Sequence, residues 1–188
     1  MEDIFMEKIV RRKKDGIHYL KVTIVIITAF LLMTTLGWLM LAVAVLSFLL
    51  PIMVAGCVYG AWWLITSMDV EFEYIVTNGE IDIDRIVHRR KRKRLFSGRA
   101  KDFEIMGRLD GDEFREAAAR LPLEKRAGKI KIMDCSAVPG FSGSWFFIAN
   151  NKSSRVMVVF DPDERILTNL KRYNPSRIKY NPALHGSA

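Results

Sequence analysis

The sequence predicts a hairpin of two transmembrane helices joined to an α+β domain that contains antiparallel strands and ends in a helix. Residues 22–68 contain no Asp, Glu, Lys, Arg or His. Residues 70–84 then alternate between apolar and polar side chains on either side of an Asn-Gly pair. Residues 161–164 read Asp-Pro-Asp-Glu, a pattern typical of a helix start. The chain has 188 residues, enough for the hairpin and one modest soluble domain.

Composition narrows the class of partner. The formal net charge is +8 and half of the residues are hydrophobic. A basic balance beside a membrane segment indicates anionic lipid headgroups or membrane topology before it indicates nucleic acid. Cys57 lies inside the apolar run and Cys135 far outside it, so we expect no disulfide, as in a reducing compartment.

The apolar run is too long for one transmembrane helix. A bilayer core needs about 20 residues per span, and one helix over residues 22–68 would be about 70 Å long. Pro51 is tolerated in the first turn of a helix, which places the turn between residues 42 and 50 and the hairpin at residues 20–67. Gly37-Trp38 is the alternative turn, but it would leave unequal spans. The run also exceeds the apolar part of a cleavable signal peptide.

Charge predicts the topology. Basic residues flank both outer ends of the hairpin, at 11–14 and 85–94, and the turn carries none. The positive-inside rule therefore predicts a multi-pass protein of the inner membrane with both termini in the cytoplasm. Residues 1–19 form the N-terminal cytoplasmic segment, either as an amphipathic surface helix carrying Ile4, Phe5, Ile9 and Val10, or as a solvated tail.

Residues 70–87 predict a β-hairpin. Both residues of Asn78-Gly79 accept the positive φ of a type I′ turn, and a two-residue loop fixes the register. Val76 should face Ile81, and Tyr74 should face Ile83. The other face then collects four carboxylates: Glu71, Glu73, Asp82 and Asp84. Like charges directly opposite each other on neighbouring strands are destabilising, so we expect cations to neutralise this face.

An unbroken basic run follows the hairpin: Arg89, Arg90, Lys91, Arg92, Lys93 and Arg94. These residues are the candidate patch for anionic lipid or a protein partner, at about 1 kcal/mol per charge near a membrane surface. Alternatively the run forms a third strand that neutralises the acidic face. Nucleic acid is disfavoured, because neither interleaved aromatic residues nor a groove-binding helix accompanies the run. The first two interpretations stay open.

The remaining elements complete a cytoplasmic domain at residues 69–175, followed by a loose tail at 176–188. Strands are predicted near residues 101–109, 130–132, 144–149 and 155–160. Asp110 and Glu113 resemble a capping box for a helix that ends at Pro122. The final helix should begin at Asp161-Pro162 and end at Asn174-Pro175.

No catalytic, cofactor-binding or metal site is predicted. The chain lacks HExxH, CxxC and a glycine-rich phosphate loop, and residues 140–144 do not match GxSxG. The acidic face lacks the spacing of a calcium loop. Cys135 is expected to be a small core residue. Gly56 and Gly60 form a GxxxG pattern, expected to serve packing within the hairpin rather than dimerisation.

Two stretches carry a family resemblance: EFEYIVTNGEIDIDRIVHRRKRKRLF at 71–96 and FDPDERILTNLKRYNPSRI at 160–178. They resemble an uncharacterised family of small Firmicutes membrane proteins, with a domain of unknown function similar to the pleckstrin-homology (PH) fold. The resemblance implies a bent antiparallel sheet or barrel closed by a C-terminal helix, and no activity. In PH domains that bind phosphoinositides the first hairpin loop is basic, whereas residues 77–80 are not.

The predicted function is that of a non-enzymatic, membrane-anchored interaction or assembly module. Two alternatives are an anionic-lipid sensor at the inner leaflet and an accessory subunit of a transport or envelope machine. Membrane lipids and an unidentified protein are the expected partners, no cofactor is expected, and self-association into a homo-oligomer is left open.

Overall fold

The computed structural model describes residues 5–88, 90–126, 130–151 and 154–181. It divides into two compact units. One consists of Met1–Arg12 together with Glu71–Ala188, and the other is Lys13–Val70. The second unit is thus an insertion in the chain of the first.

The inserted unit is a helical hairpin. Helix α1 spans Gly16–Ala42, a short 3-10 helix spans Ala44–Leu49, and α2 spans Leu50–Ser67. Both helices are long and apolar enough to cross a membrane, and neither contains a buried residue. The turn falls in the predicted interval, with Pro51 in the first turn of α2. The Asp15 carboxylate accepts a hydrogen bond from the His18 amide (2.9 Å), so α1 begins before the apolar run.

The GxxxG pattern does not serve packing within the hairpin, contrary to prediction. A Cβ atom added to Gly56 or Gly60 would meet no atom within 4 Å. Of the glycines in the two helices beyond the first turn of α1, Gly37 does face α2, since its added Cβ would lie 4.0 Å from the Met53 methyl group.

The first sheet has the order β1-β2-β3-β4. Its strands are β1 (Phe5–Arg11), β2 (Val70–Thr77), β3 (Glu80–Val87) and β4 (Lys91–Arg99). Strand β1 corrects the prediction for residues 5–11, which form neither a surface helix nor a solvated tail, whereas Ile4 lies outside the described residues. It pairs antiparallel with β2, from Phe5 opposite Thr77 to Arg11 opposite Glu71. This pairing satisfies backbone groups along the edge of β2.

The β2–β3 turn is formed as predicted. Asn78 and Gly79 have φ values of 50° and 79°. The predicted apolar face, Tyr74, Val76, Ile81 and Ile83, is fully buried. This hairpin is, however, the second connection of the sheet, because the helical unit forms the first.

The second sheet has the order β5-β7-β8-β6. Its strands are β5 (Phe103–Arg108), β6 (Ile130–Asp134), β7 (Trp145–Asn151) and β8 (Ser154–Phe160). Strand β6 runs parallel to β8, so the sheet is mixed rather than purely antiparallel. Within the described residues the two sheets form no closed barrel, which corrects that part of the expectation.

Two helices complete this unit. Helix α3 (Asp112–Arg126) packs Phe114, Ala117 and Ala118 against the outer side of the second sheet. It continues past Pro122, and the predicted cap Asp110 is instead bound by Arg108 at 2.8 and 2.9 Å. Helix α4 (Glu164–Tyr173) buries Ile166, Leu167 and Leu170.

The cap of α4 also differs from the prediction. The Asp163 carboxylate accepts the Ile166 amide at 2.8 Å and so caps the helix. The predicted cap, Asp161, instead accepts the Ala137 amide at 2.6 Å. Asp161 thus binds the β6–β7 connection, and Asp163 caps the helix in its place.

Aromatic side chains form the centre of the core. The Phe147 ring stacks on Phe103 with centroids 4.3 Å apart and lies 5.0 Å from Phe96 of the first sheet. Phe160 contacts both Phe147 and Tyr74 edge to face. Such contacts add to the stabilisation from buried area. They hold the two sheets in one packed core.

Candidate interaction surface

The four predicted carboxylates of the first sheet are each bound by an arginine, and we call this arrangement the charge ladder. Arg11 of β1 contacts Glu71 at 2.9 Å, and Arg92 of β4 contacts Glu73 at 2.8 Å. Arg94 bridges Asp82 and Asp84, both at 3.0 Å. The ladder spans all four strands, so the acidic face receives the cations that it requires.

Glu73 is the most buried member of the ladder, with 1% of its surface exposed. Loss of hydration raises the pKa of its carboxyl group, and a hydrogen bond with Glu7 of β1 raises it further. The nearby charge of Arg92 acts in the opposite direction. Since arginines already occupy the ladder oxygens, this face does not offer an open cation site.

Alternation along β4 divides the basic run between the two faces of the sheet. Arg94 lies opposite Asp84, whereas Lys93 lies opposite Arg85. Successive strand residues point to opposite faces, so Lys91 and Lys93 share a side with Arg85. We call these three residues the exposed basic face. All three are exposed, and none makes an ion pair with another described residue.

The tip between β3 and β4 carries the rest of the run. His88 has a φ of 53°, and the Arg90 amide donates to the Val87 carbonyl at 3.2 Å. The Arg90 side chain is exposed, and Arg89 lies outside the described residues. The structure therefore places Arg92 and Arg94 in the charge ladder and leaves Arg90, Lys91 and Lys93 exposed outside it. Arg92 and Arg94 thus suit the predicted neutralisation of the acidic face. Arg90, Lys91 and Lys93 suit the predicted patch for anionic lipid or a protein partner.

The described cysteines and histidines, the candidates for a reactive centre, lie in different environments. Burial raises the pKa of the Cys135 thiol to about 12, so it remains protonated at neutral pH. His18 lies in α1, His88 lies at the β3–β4 tip, and His185 is outside the described residues. Within the described ranges, no group of His, Cys, Asp and Glu is arranged to hold a metal ion.

Sequence reasoning missed the structural role of Arg12. Its guanidinium donates to the Asp134 carboxylate at 3.2 Å and to the Ser136 carbonyl at 3.0 Å. It also lies over the Phe72 ring, 5.5 Å from the centroid. The alternation of FMEKIVR at residues 5–11 was the available signal for a strand, but its mixed polarity also suits a surface helix.

A family model described as "Bacterial PH-like domain (DUF6106)" matches residues 2–180. The matched span includes both apolar helices and both sheets. No curated protein and no solved structure matches the chain.

Proposed function

Since the chain belongs to the bacterial PH-like domain family, we propose that it is a non-enzymatic interaction module anchored in the inner membrane. The observation that carries this proposal is the insertion of an apolar helical unit between two paired strands of a PH-like sheet. Because β1 and β2 pair antiparallel, the chain leaves and re-enters the sheet at neighbouring positions. Two chain segments, rather than one terminal linker, would then connect the anchor to the interaction domain.

We call the unit formed by Met1–Arg12 and Glu71–Ala188 the PH-like unit, and the charge distribution supports its placement in the cytoplasm. Lys13 and Lys14 precede α1, and no basic residue lies in the turn between the helices. By the positive-inside rule, the turn would face the cell exterior and both ends of the hairpin the cytoplasm.

Cysteine labelling tests the anchor. In a chain with Cys57→Ala and Cys135→Ala, Ser47→Cys probes the helical turn and Ser176→Cys probes the PH-like unit. In intact spheroplasts an impermeant thiol reagent should label the first probe, and it should label the second only after lysis. Labelling of Ser176→Cys before lysis would contradict the proposed topology.

Photo-crosslinking in native membranes tests the interaction role. A photoreactive residue replaces Lys93 on the exposed basic face, and Lys131 of β6 provides an exposed control position. We expect a discrete protein or lipid adduct at position 93 and none at 131. Identical patterns at both positions would argue against a specific surface.

Anionic-lipid binding is a second candidate function, favoured by the exposed basic face. Arg85, Lys91 and Lys93 have no ion-pair partner among the described residues, so their charges are available to an anionic surface. Each such charge contributes about 1 kcal/mol near an anionic membrane. Screening by salt would weaken the attraction.

A soluble variant separates this binding from the anchor. Residues 14–69 are replaced by a short glycine-serine loop, which the adjacent positions of Arg11 and Glu71 allow. This variant should sediment with vesicles that contain phosphatidylglycerol, and added salt should release it. Lys91→Gln with Lys93→Gln should weaken sedimentation several-fold. Absence of sedimentation at low salt would exclude the lipid candidate and would leave only a protein adduct as the expected crosslinking result.

A further inference from the structure

A polar cleft of about 490 Å³ lies between the start of β5 and the turn that follows α4. It is separate from the exposed basic face and from the charge ladder. Its polar lining consists of Lys101, Asp102, Glu104, Asn174, Ser176 and Arg177.

Hydrogen bonds fix both walls of the cleft. The Asn174 side-chain amide donates to the carbonyls of Ala100 (2.9 Å) and Phe103 (3.2 Å). The Met106 amide donates to the Arg177 carbonyl at 3.0 Å, and the Lys179 amide donates to the Met106 carbonyl at 2.9 Å. The segment after α4 is thereby paired with β5. A ligand would meet a largely preformed site.

The carboxylates of the cleft are already neutralised by arginines. Arg99 contacts Asp102 at 3.2 Å. Arg155 holds Glu104 through two nitrogens, with its Nε at 2.8 and 3.0 Å from the two carboxylate oxygens. A divalent cation would have to displace these arginines.

Two cations of the cleft have no such partner. Lys101 and Arg177 are exposed and make no ion pair with any residue in the described part of the chain. The Ser176 hydroxyl lies 3.4 Å from the Asn174 side-chain oxygen, a long contact that leaves it able to turn towards a ligand. The cleft therefore combines the planar guanidinium group of Arg177, the ammonium group of Lys101 and the hydroxyl group of Ser176.

We propose that this cleft binds the phosphate group of a ligand. An arginine fork matches the geometry of phosphate oxygens, and lysine supplies a further positive charge. Arg177 and Lys101 contact the phosphate oxygens, and Ser176 donates to one of them. This assignment is independent of the proposed membrane and partner functions, because it uses none of the residues of the exposed basic face.

Titration with inorganic phosphate tests the assignment on the full chain in phosphatidylcholine nanodiscs. At constant ionic strength, binding broadens the ³¹P resonance of free phosphate. Arg177→Gln and Lys101→Gln should each weaken the fitted affinity about tenfold, equivalent to about 1.4 kcal/mol. Lys131→Gln, an exposed lysine of β6 outside the cleft, is the matched control and should change the affinity less than twofold.

Thermal unfolding without phosphate checks that the variants remain folded. If Arg177→Gln does not fold, Lys101→Gln provides the same test. Absence of saturable broadening in the wild-type chain, or equal broadening in wild type and both variants, would overturn the proposal. Displacement of phosphate by an equal concentration of acetate would overturn the preference for phosphate over carboxylate.

A competition experiment distinguishes a soluble phosphate ligand from a lipid headgroup. Soluble glycerol phosphate should displace inorganic phosphate if the cleft is open to the aqueous phase. If a lipid headgroup occupies it, nanodiscs containing phosphatidic acid should abolish the broadening in the wild-type chain. Both results support a phosphate site and differ only in its source. Failure of both competitors would overturn the proposal.

Discussion

Gly79 illustrates two separate constraints on a single residue. Its φ of 79° lies in the left-handed region that favours glycine. A Cβ atom there would also lie 2.4 Å from the Tyr173 ring at the end of α4. The turn that sets the β2–β3 register thus also provides a packing surface for the C-terminal helix.

Gly79→Ala should therefore destabilise the PH-like unit more than a substitution that introduces backbone strain alone. Gly140 is a matched control, because its φ is 70° and an added Cβ would meet no atom within 4 Å. Gly140→Ala should lower the free energy of unfolding by about 1–2 kcal/mol through backbone strain. Gly79→Ala should lower it by the same amount and by about 1–3 kcal/mol more, because the added methyl group overpacks the contact with the ring.

Urea unfolding of the loop-linked soluble variant measures both losses. Introducing Tyr173→Ala should remove much of the additional penalty at position 79, because the clashing ring is absent. Equal losses at the two glycines would show that the ring moves aside without cost.

The buried hydroxyl of Tyr74 predicts a loss of stability at alkaline pH. It donates to the Cys135 carbonyl at 2.6 Å and accepts from the Asp161 amide at 3.2 Å. Burial raises the pKa of Tyr74 above its usual range and that of Cys135 to about 12. Both groups thus hold their protons more tightly in the folded protein than in the unfolded one. Their contribution to the free energy of unfolding is therefore fully present below the unfolded pKa values. This contribution declines as pH rises from about 9 towards 12.

The free energy of unfolding of the soluble variant, followed between pH 8 and 11, checks this dependence. Cys135→Ala should remove the share of the pH dependence that is due to the thiol, and Tyr74→Phe should remove the share that is due to the phenol. Tyr74→Phe should also lower the free energy of unfolding at pH 7 by about 1–3 kcal/mol, because a buried carbonyl and a buried amide lose their partner. A pH profile unchanged in both variants would refute the assignment.

At the scale of elements, β4 carries two sets of basic side chains, which alternation places on opposite faces of the sheet. Arg92 and Arg94 neutralise carboxylates of the first sheet, while Lys91 and Lys93 project from its other face. Charged side chains on an edge strand also discourage pairing with other chains. A basic run that looks uniform in sequence is therefore divided by the pleat of the strand.

Charge-removing substitutions should separate these roles. Arg92→Gln leaves the buried Glu73 without its cation and should cost about 1–3 kcal/mol, a range suited to an arginine that is itself largely exposed. Lys93→Gln touches no carboxylate and should change stability by less than about 0.5 kcal/mol. Urea unfolding measures both. Equal effects would show that the ladder does not stabilise the sheet.

Local patterns predicted the elements whose contacts are local. The β2–β3 hairpin follows from Asn78-Gly79, and the helical turn follows from Pro51. Strand β1 and the parallel pairing of β6 with β8 depend on partners far away in sequence, so a local period cannot reveal them. Asp161 satisfies the rule for a helix cap, but the structure uses it for a distant amide.

The same limit applies to the candidate site. The acidic face was predictable because strand alternation alone defines it. The ladder residue Arg11 was not, since its role depends on the β1–β2 pairing. The cleft proposed to bind phosphate joins two segments distant in sequence, and no short motif marks it.

At the scale of the whole molecule, β1 makes the residues before the helical unit part of the PH-like core. The Lys8 ammonium donates to the Asp161 carbonyl at 2.8 Å, and Arg12 holds Asp134 and Ser136. A fragment that begins at residue 69 therefore lacks an edge strand and these contacts. We expect it to be far less stable than the loop-linked variant, although both lack the helices.

Thermal unfolding of the two proteins tests this expectation. A synthetic peptide of residues 1–15 should raise the midpoint of the fragment by restoring β1, and the same peptide with Val10→Asp should not, because Val10 is buried. Equal midpoints for the fragment and the loop-linked variant would show that β1 is dispensable.

The inserted hairpin also has a consequence for synthesis of the chain. Strand β1 leaves the ribosome before Lys13–Val70, and its partner β2 begins only at Val70, the last residue of that unit. At ordinary translation rates of about 5–20 residues per second, β1 waits roughly 3–12 s for its partner. If the hairpin enters the bilayer during that interval, insertion comes before completion of the first sheet. Delivery to the membrane would then become a step in the folding of the PH-like unit itself.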